Sequence, residues 1–206
     1  MKLTAPLVAA CFAMGALATP ASASTIVNTG AGPNVNGGYV VSSGQWLGGK
    51  FQVGAATTIT DVLGWITSFS GSYTASIYSD SNGLPNASLY SANFTPSNTS
   101  QPAWYGVSGQ AWNVAAGTYW AVFSAGTGNG AMPIGVANPL SAYAGWHSGQ
   151  GFYDAGNLNI GFQILGDATV AAVPEPAIWA MMMLGFGAMG YTLRRRAKVT
   201  TRVRFA

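Results

Sequence analysis

The sequence predicts an all-β body, an antiparallel β-sandwich or jelly roll, followed by a single C-terminal transmembrane helix. Three observations carry this reading. Only 6% of residues are charged, and glycine occurs 28 times; an average soluble domain carries about 25% charged residues, and helical enzymes and coiled coils draw heavily on Glu, Lys and Arg. Short stretches of alternating apolar and polar residues recur between clusters of turn-forming residues. One apolar run of helical length, Ala177 to Leu193, stands next to a block of arginines.

Residues 1–23 have the form of a secretory signal peptide. Lys2 supplies the positive start, Leu7 to Leu17 is a short apolar stretch, and Ala21-Ser22-Ala23 is a small-x-small cleavage site. Signal peptidase would cut there and leave a mature chain starting at Ser24. The stretch is too short to serve comfortably as a membrane span. The single cysteine, Cys11, lies inside it, so the mature chain has no thiol for a disulfide, a nucleophile or a metal.

Residues 24–38, rich in Gly and Asn, read as a flexible N-terminal segment, and 39–170 as one β-sandwich ectodomain. Alternation is clear at Ser72–Tyr78, Tyr119–Phe123 and Ile160–Ile164. Gln45–Val53, Thr57–Ile66, Ser88–Phe94, Ala111–Val114 and Ala142–His147 are further strand candidates. Turn chemistry separates them at Ser81-Asn82-Gly83-Leu84-Pro85, at Gly126 to Gly130 and at Asp154 to Asn157. Eight or so short strands of this kind suit a sandwich.

The net charge of +3 belongs to the ends of the chain. Between Ser24 and Val173 the only cation is Lys50, against Asp61, Asp80, Asp154 and Asp167. A mildly acidic body without arginine has no electrostatic footprint for nucleic acid.

The same scarcity limits chemistry. The body has no Cys, Glu or Arg and one histidine, His147, so the common zinc sites are excluded and no metal ligand set is assigned. No catalytic residues are assigned either, and the body reads as a non-enzyme. The alternative is a secreted polysaccharide hydrolase built on Asp80, Asp154 and His147, although four widely spaced aspartates are the only supply for the carboxylate pair such an enzyme needs. Asp80-Ser81-Asn82-Gly83 resembles a fragment of a calcium loop, with Asp80 and Asn82 as oxygen donors, but it lacks the rest of that spacing. A tight Asn-Gly hairpin turn is the plainer reading. Aromatic side chains are plentiful. Trp65 and Trp120 lie in apolar strands and are expected in the core, whereas Trp104 and Tyr105 follow Gln101-Pro102 in a loop-like stretch and are the candidate glycan contact. Three sequons, at Asn86, Asn93 and Asn98, mark a polar surface stretch.

The C-terminal segment has three parts in a fixed order. Pro174-Glu175-Pro176 opens it, with Pro176 suited to a first helical turn and Glu175 to the positive end of the helix dipole. The apolar run then extends about 25 Å at about 1.5 Å per residue, at the lower edge for a span. Trp179 suits an interface, Gly185, Gly187 and Gly190 leave a small-residue face, and Arg194-Arg195-Arg196 is cytoplasmic by the positive-inside rule, as is the basic tail 197–206.

This order resembles the PEP-CTERM sorting signal of Gram-negative bacteria, in the variant with Trp-Ala after the motif, over residues 174–196. The resemblance implies that an integral-membrane transpeptidase, the exosortase, recognises the tail, cuts near the motif, and releases or transfers the body. It also implies export through the inner membrane, transient anchoring by the helix, and a final place on the cell surface or in the extracellular matrix. The body, through Tyr73–Leu89, Ala116–Trp120 and Gly161–Gly166, more loosely resembles exported β-sandwich ectodomains that carry exchangeable anchoring tails. That likeness implies a structural, adhesive or exopolysaccharide-associated role in a biofilm-like matrix. A plain membrane-anchored surface protein, never processed, is the remaining alternative.

Overall fold

The computed structural model describes residues 23–68, 71–97, 101–168, 176–195 and 204. The chain runs β1 (Ser24–Asn28), β2 (Tyr39–Val41), β3 (Gln45–Val53), β4 (Thr57–Ser68), β5 (Tyr73–Ser81), β6 (Leu84–Phe94), β7 (Ala103–Val107), β8 (Trp112–Val114), β9 (Gly117–Ala125), β10 (Gly130–Met132), β11 (Tyr143–His147), β12 (Gly151–Asp154), β13 (Phe162–Ala168) and α1 (Pro176–Arg195). Two antiparallel sheets form. One has seven strands in the order β1-β13-β4-β10-β2, with β7 and β8 also on β4; the other has six, β12-β11-β3-β9-β5-β6.

The long strand β4 organises the first sheet. It pairs with β13 over Thr57–Gly64, with β8 at Thr57–Ile59, with β7 at Val62–Ile66 and with β10 at Thr67–Ser68. A register shift opposite Leu165/Gly166 lets Ile59 and Val62 both turn inward, since an extra residue in one strand resets the alternation. Ile59, Val62, Ile66 and Ile164 from this sheet pack against Leu47, Phe51, Ala121 and Phe123 from the other. Phe123 and Phe162 meet across the gap at 5.7 Å. The alternation that predicts strands thus also predicts the face that is buried.

Residues 24–38 are more ordered than their Gly/Asn content predicts. Ser24–Asn28 pair with Asn28 opposite Gln163 and Ser24 opposite Gly166. Thr29 is wholly buried, and its hydroxyl accepts from the Phe162 amide at 2.9 Å and donates to the Phe162 carbonyl at 3.2 Å. Further along, the Pro33 carbonyl accepts from the Trp65 indole at 3.4 Å, and the Val35 carbonyl accepts from Thr67 at 3.4 Å. The segment is a strand followed by a strap over the first sheet. Its flexible composition is overridden by tertiary pairing.

The six-stranded sheet curls. Phe152 on β12 touches Tyr78 on β5 edge-to-face at 5.3 Å, although four strand steps would separate them by about 19 Å in a flat sheet. The two edge strands, β12 and β6, come into contact. This encloses a second apolar cluster of Trp120, Val122 and Ala144, flanked by Trp46, Tyr78, Leu84, Ala142 and Phe152.

Candidate functional site

The tail is the first candidate. α1 spans 20 residues, about 30 Å at 1.5 Å per residue. Its described side chains from Trp179 to Thr192, and Arg194, are all exposed, with Leu184 at 74% and Met183 at 73%. None of these apolar groups is covered by other described residues. Among the described residues no helix is long and apolar enough to cross a membrane, so the expected C-terminal transmembrane helix is not shown. Gly185, Gly187, Gly190, Tyr191 and Thr192 dilute a short apolar run before the arginines begin. Pro174, Glu175 and Arg196, most of the basic tail, and the signal segment with Ala21 lie outside the described residues. Ala23 and Ser24 stand at the exposed start of β1.

In the body, the structure separates Trp104 from Tyr105. They occupy neighbouring positions on β7, not a loop, so they point to opposite faces. Tyr105 packs against the main core. Trp104 lies opposite Trp65 across the β4–β7 pair, with their rings edge-to-face at 5.4 Å. Trp65 is therefore not a core residue; both indoles are half-buried on the outer face of the first sheet. On the second sheet Trp46 and Trp146 are cross-strand partners and stack at 4.0 Å and 17°. This partly buried pair, at the margin of the second cluster, was not legible as a site in the sequence. The signal was present only as a tryptophan in each of two strands of unknown register.

Trp120 is wholly buried, as expected, but in the second cluster and not between the sheets. Its indole N–H donates to Asp80 Oδ1 at 2.7 Å. Asp80 Oδ2 accepts from the Gly83 amide at 3.4 Å. Asn82 and Gly83 have φ of 54° and 78°, the left-handed pair that a two-residue hairpin turn demands. The segment read as a calcium-loop fragment is thus the β5–β6 turn, with Asp80 tying that turn to Trp120. Among the described residues no group of three His, Cys, Asp or Glu side chains gathers to hold a metal. Asn82 contributes its backbone conformation.

Lys50 places its ammonium 5.8 Å from the Trp120 ring centroid, an arrangement that ring electrostatics favour. Beside these groups a cleft of about 550 Å³ opens, lined by Ile26, Val27, Lys50, Phe51, Gln52, Asp80, Thr118 and Pro139 to Ser141. The body's one cation and one of its four aspartates meet there, a convergence that sequence spacing did not reveal.

The remaining titratable residues do not assemble. His147 stacks on Tyr153 at 5.5 Å and 1°. Asp154 closes a local turn by accepting from the Gly156 amide at 2.9 Å. In the β11–β12 pair His147 lies opposite Gly151 and Ala144 opposite Asp154; the alternation sends His147 and Asp154 to opposite faces. Burial raises the pKa of Tyr78, a shift that a Ser88 hydrogen bond opposes, and burial raises that of Tyr143 against an opposing Leu140 backbone bond.

Residues 172–196 match the family model of the PEP-CTERM protein-sorting motif. The chain carries a PEP-CTERM sorting tail. No curated protein matches the chain. The matched stretch takes in the Pro-Glu-Pro motif, α1 and the arginine cluster, which are the parts that the sequence reading assigned. A PEP-CTERM tail marks an exported protein, sorted to the cell surface or the extracellular space, and implies an exosortase as its processing partner.

Proposed function

We propose that this chain is a surface or matrix protein whose β-sandwich serves as a structural, adhesive, polysaccharide-associated component once its tail has been processed. Signal peptidase removes residues 1–23 on export. The exosortase then grips α1 at the membrane through its exposed apolar sides and cuts near Pro174–Pro176. In this reading α1 is a short element held by a membrane-embedded enzyme, which suits a helix whose apolar stretch falls below a full span.

The observation that carries the role of the body is its outward aromatic surface. Trp65 and Trp104 stand partly exposed on the outer face of one sheet, and Trp46 and Trp146 at the margin of the second cluster on the other, on a body with one cation and four aspartates. Flat indole faces stack on the apolar faces of sugar rings, and scarce charge removes the cost of desolvating ions against neutral hydroxyls. No dyad of His147 and Asp154 is formed, so the hydrolase alternative gains no support from the geometry.

Affinity electrophoresis tests the reading. The purified protein should be retarded in gels cast with the neutral exopolysaccharide of the producing bacterium, and Trp104→Ala and Trp146→Ala should each reduce that retardation. Unchanged mobility of the wild-type protein at all polysaccharide concentrations contradicts a polysaccharide role.

A further inference from the structure

We propose that the cleft beside Lys50 and Asp80 is a binding site for an uncharged saccharide; the assignment rests on the polysaccharide-associated reading above and names its site. At about 550 Å³ the cleft falls within the range of small-molecule sites, roughly 300–1,000 Å³. Its charges are one ammonium and one carboxylate, held in place by the same buried ring. Trp120 offers its face to Lys50 at 5.8 Å and its N–H to Asp80 at 2.7 Å. No ion pair joins Lys50 to an acid among the described residues.

Both groups therefore keep hydrogen-bonding capacity. The ammonium has three donors, and each carboxylate oxygen keeps a lone pair beyond the one given to the indole or to Gly83. A hydroxyl accepts from the first and donates to the second, and neighbouring hydroxyls on one sugar ring satisfy both at once. Gln52 and Thr118 add polar groups to the lining, and Pro139 with Leu140 supplies an apolar wall for the ring's C–H face. The same balance selects against ions. A sugar carboxylate on Lys50 leaves Asp80 without a donor, and an amine on Asp80 leaves Lys50 without an acceptor, whereas neighbouring neutral hydroxyls satisfy both without the cost of desolvating an ion.

The test is titration calorimetry of the purified protein with neutral hexasaccharides (β-1,4-glucan, α-1,4-glucan and N-acetylglucosamine chains) and with a hexagalacturonate. It is paired with ¹H–¹⁵N spectra that follow the Trp120 indole resonance. Lys50→Met keeps the side-chain stem over Trp120 and removes the ammonium, and Thr118→Val keeps the shape and removes the hydroxyl. Matching melting temperatures establish that both variants fold. The site predicts binding of a neutral chain, a shift of the Trp120 N–H on binding, and affinity reduced roughly tenfold or more in Lys50→Met, as loss of a charge-assisted hydrogen bond entails. Wild-type affinity in both variants with an unmoved Trp120 signal overturns the cleft and leaves the polysaccharide reading standing. Tighter binding of hexagalacturonate overturns the uncharged assignment. Absence of binding to every saccharide overturns both.

Discussion

Replacing Trp120 with phenylalanine measures the bond that ties the β5–β6 turn into the curled sheet. Trp120 has no exposed surface, and its indole donates to Asp80 at 2.7 Å. A hydrogen bond to a charged group contributes about 1.5–3 kcal/mol. The missing part of the indole leaves a void of roughly 40 Å³, which adds about 1 kcal/mol at about 24 cal/mol per Å³. Trp120→Phe should therefore destabilise the protein by about 2.5–4 kcal/mol, read as a lower urea midpoint at unchanged slope. A double-mutant cycle with Asp80→Ala isolates the bond, because Asp80→Ala also removes the contact to Gly83. The cycle should return a coupling of about 1.5 kcal/mol or more, well above the additivity error of independent sites. A loss under about 1 kcal/mol, with coupling near zero, would mean that Trp120 is not enclosed and that the second sheet does not curl around it.

Three further outcomes are expected. A Cβ at Gly106 falls on the Val62 carbonyl oxygen of the paired strand, so Gly106→Ala should cost at least about 1–3 kcal/mol in chemical denaturation; Gly54→Ala, whose Cβ meets open space, should stay within about 0.5 kcal/mol. Burial raises the pKa of Tyr78 and Tyr143 above the ordinary 10.0, so the neutral phenols contribute stability that is whole below pH 10.0 and is lost as pH rises through their folded values. Tyr143→Phe should flatten that alkaline loss in a stability–pH series, while costing about 1 kcal/mol at neutral pH because the Leu140 amide loses its acceptor at 2.9 Å. Changing Arg194, Arg195 and Arg196 to glutamine should leave full-length, tail-bearing protein in the membrane fraction, seen by immunoblot against the α1 peptide.

Much of the fold was legible because its strands are two-faced. Gln45–Val53 was read with the bounds that the structure gives, and Thr57–Ile66 and Ala142–His147 differ only at their ends. The strands that escaped are short or masked by composition. β2 and β10 have three residues each, too few to show a period, and Ser24–Asn28 was absorbed into the Gly/Asn-rich stretch despite Thr25, Ile26 and Val27. Pro102 gives β7 the look of a loop in sequence, and a loop there would turn Tyr105 outward with Trp104. Trp65 and Trp120 look alike in sequence, since each sits in an apolar strand. What separates them is the register of β4 and the curl of the second sheet, both long-range properties. The Lys50–Asp80 cleft escaped for the same reason. The sorting tail needed no tertiary structure, because its three parts are consecutive.

The fate of that tail decides the function, and the decisive measurement is the intact mass of the mature protein from the bacterium that makes it, with sequencing of its C-terminal peptide. Exosortase processing predicts a chain that starts near Ser24 and ends around Pro174–Pro176. A mature chain that keeps Trp179 and Arg194–Arg196 contradicts the account and leaves an unprocessed surface protein.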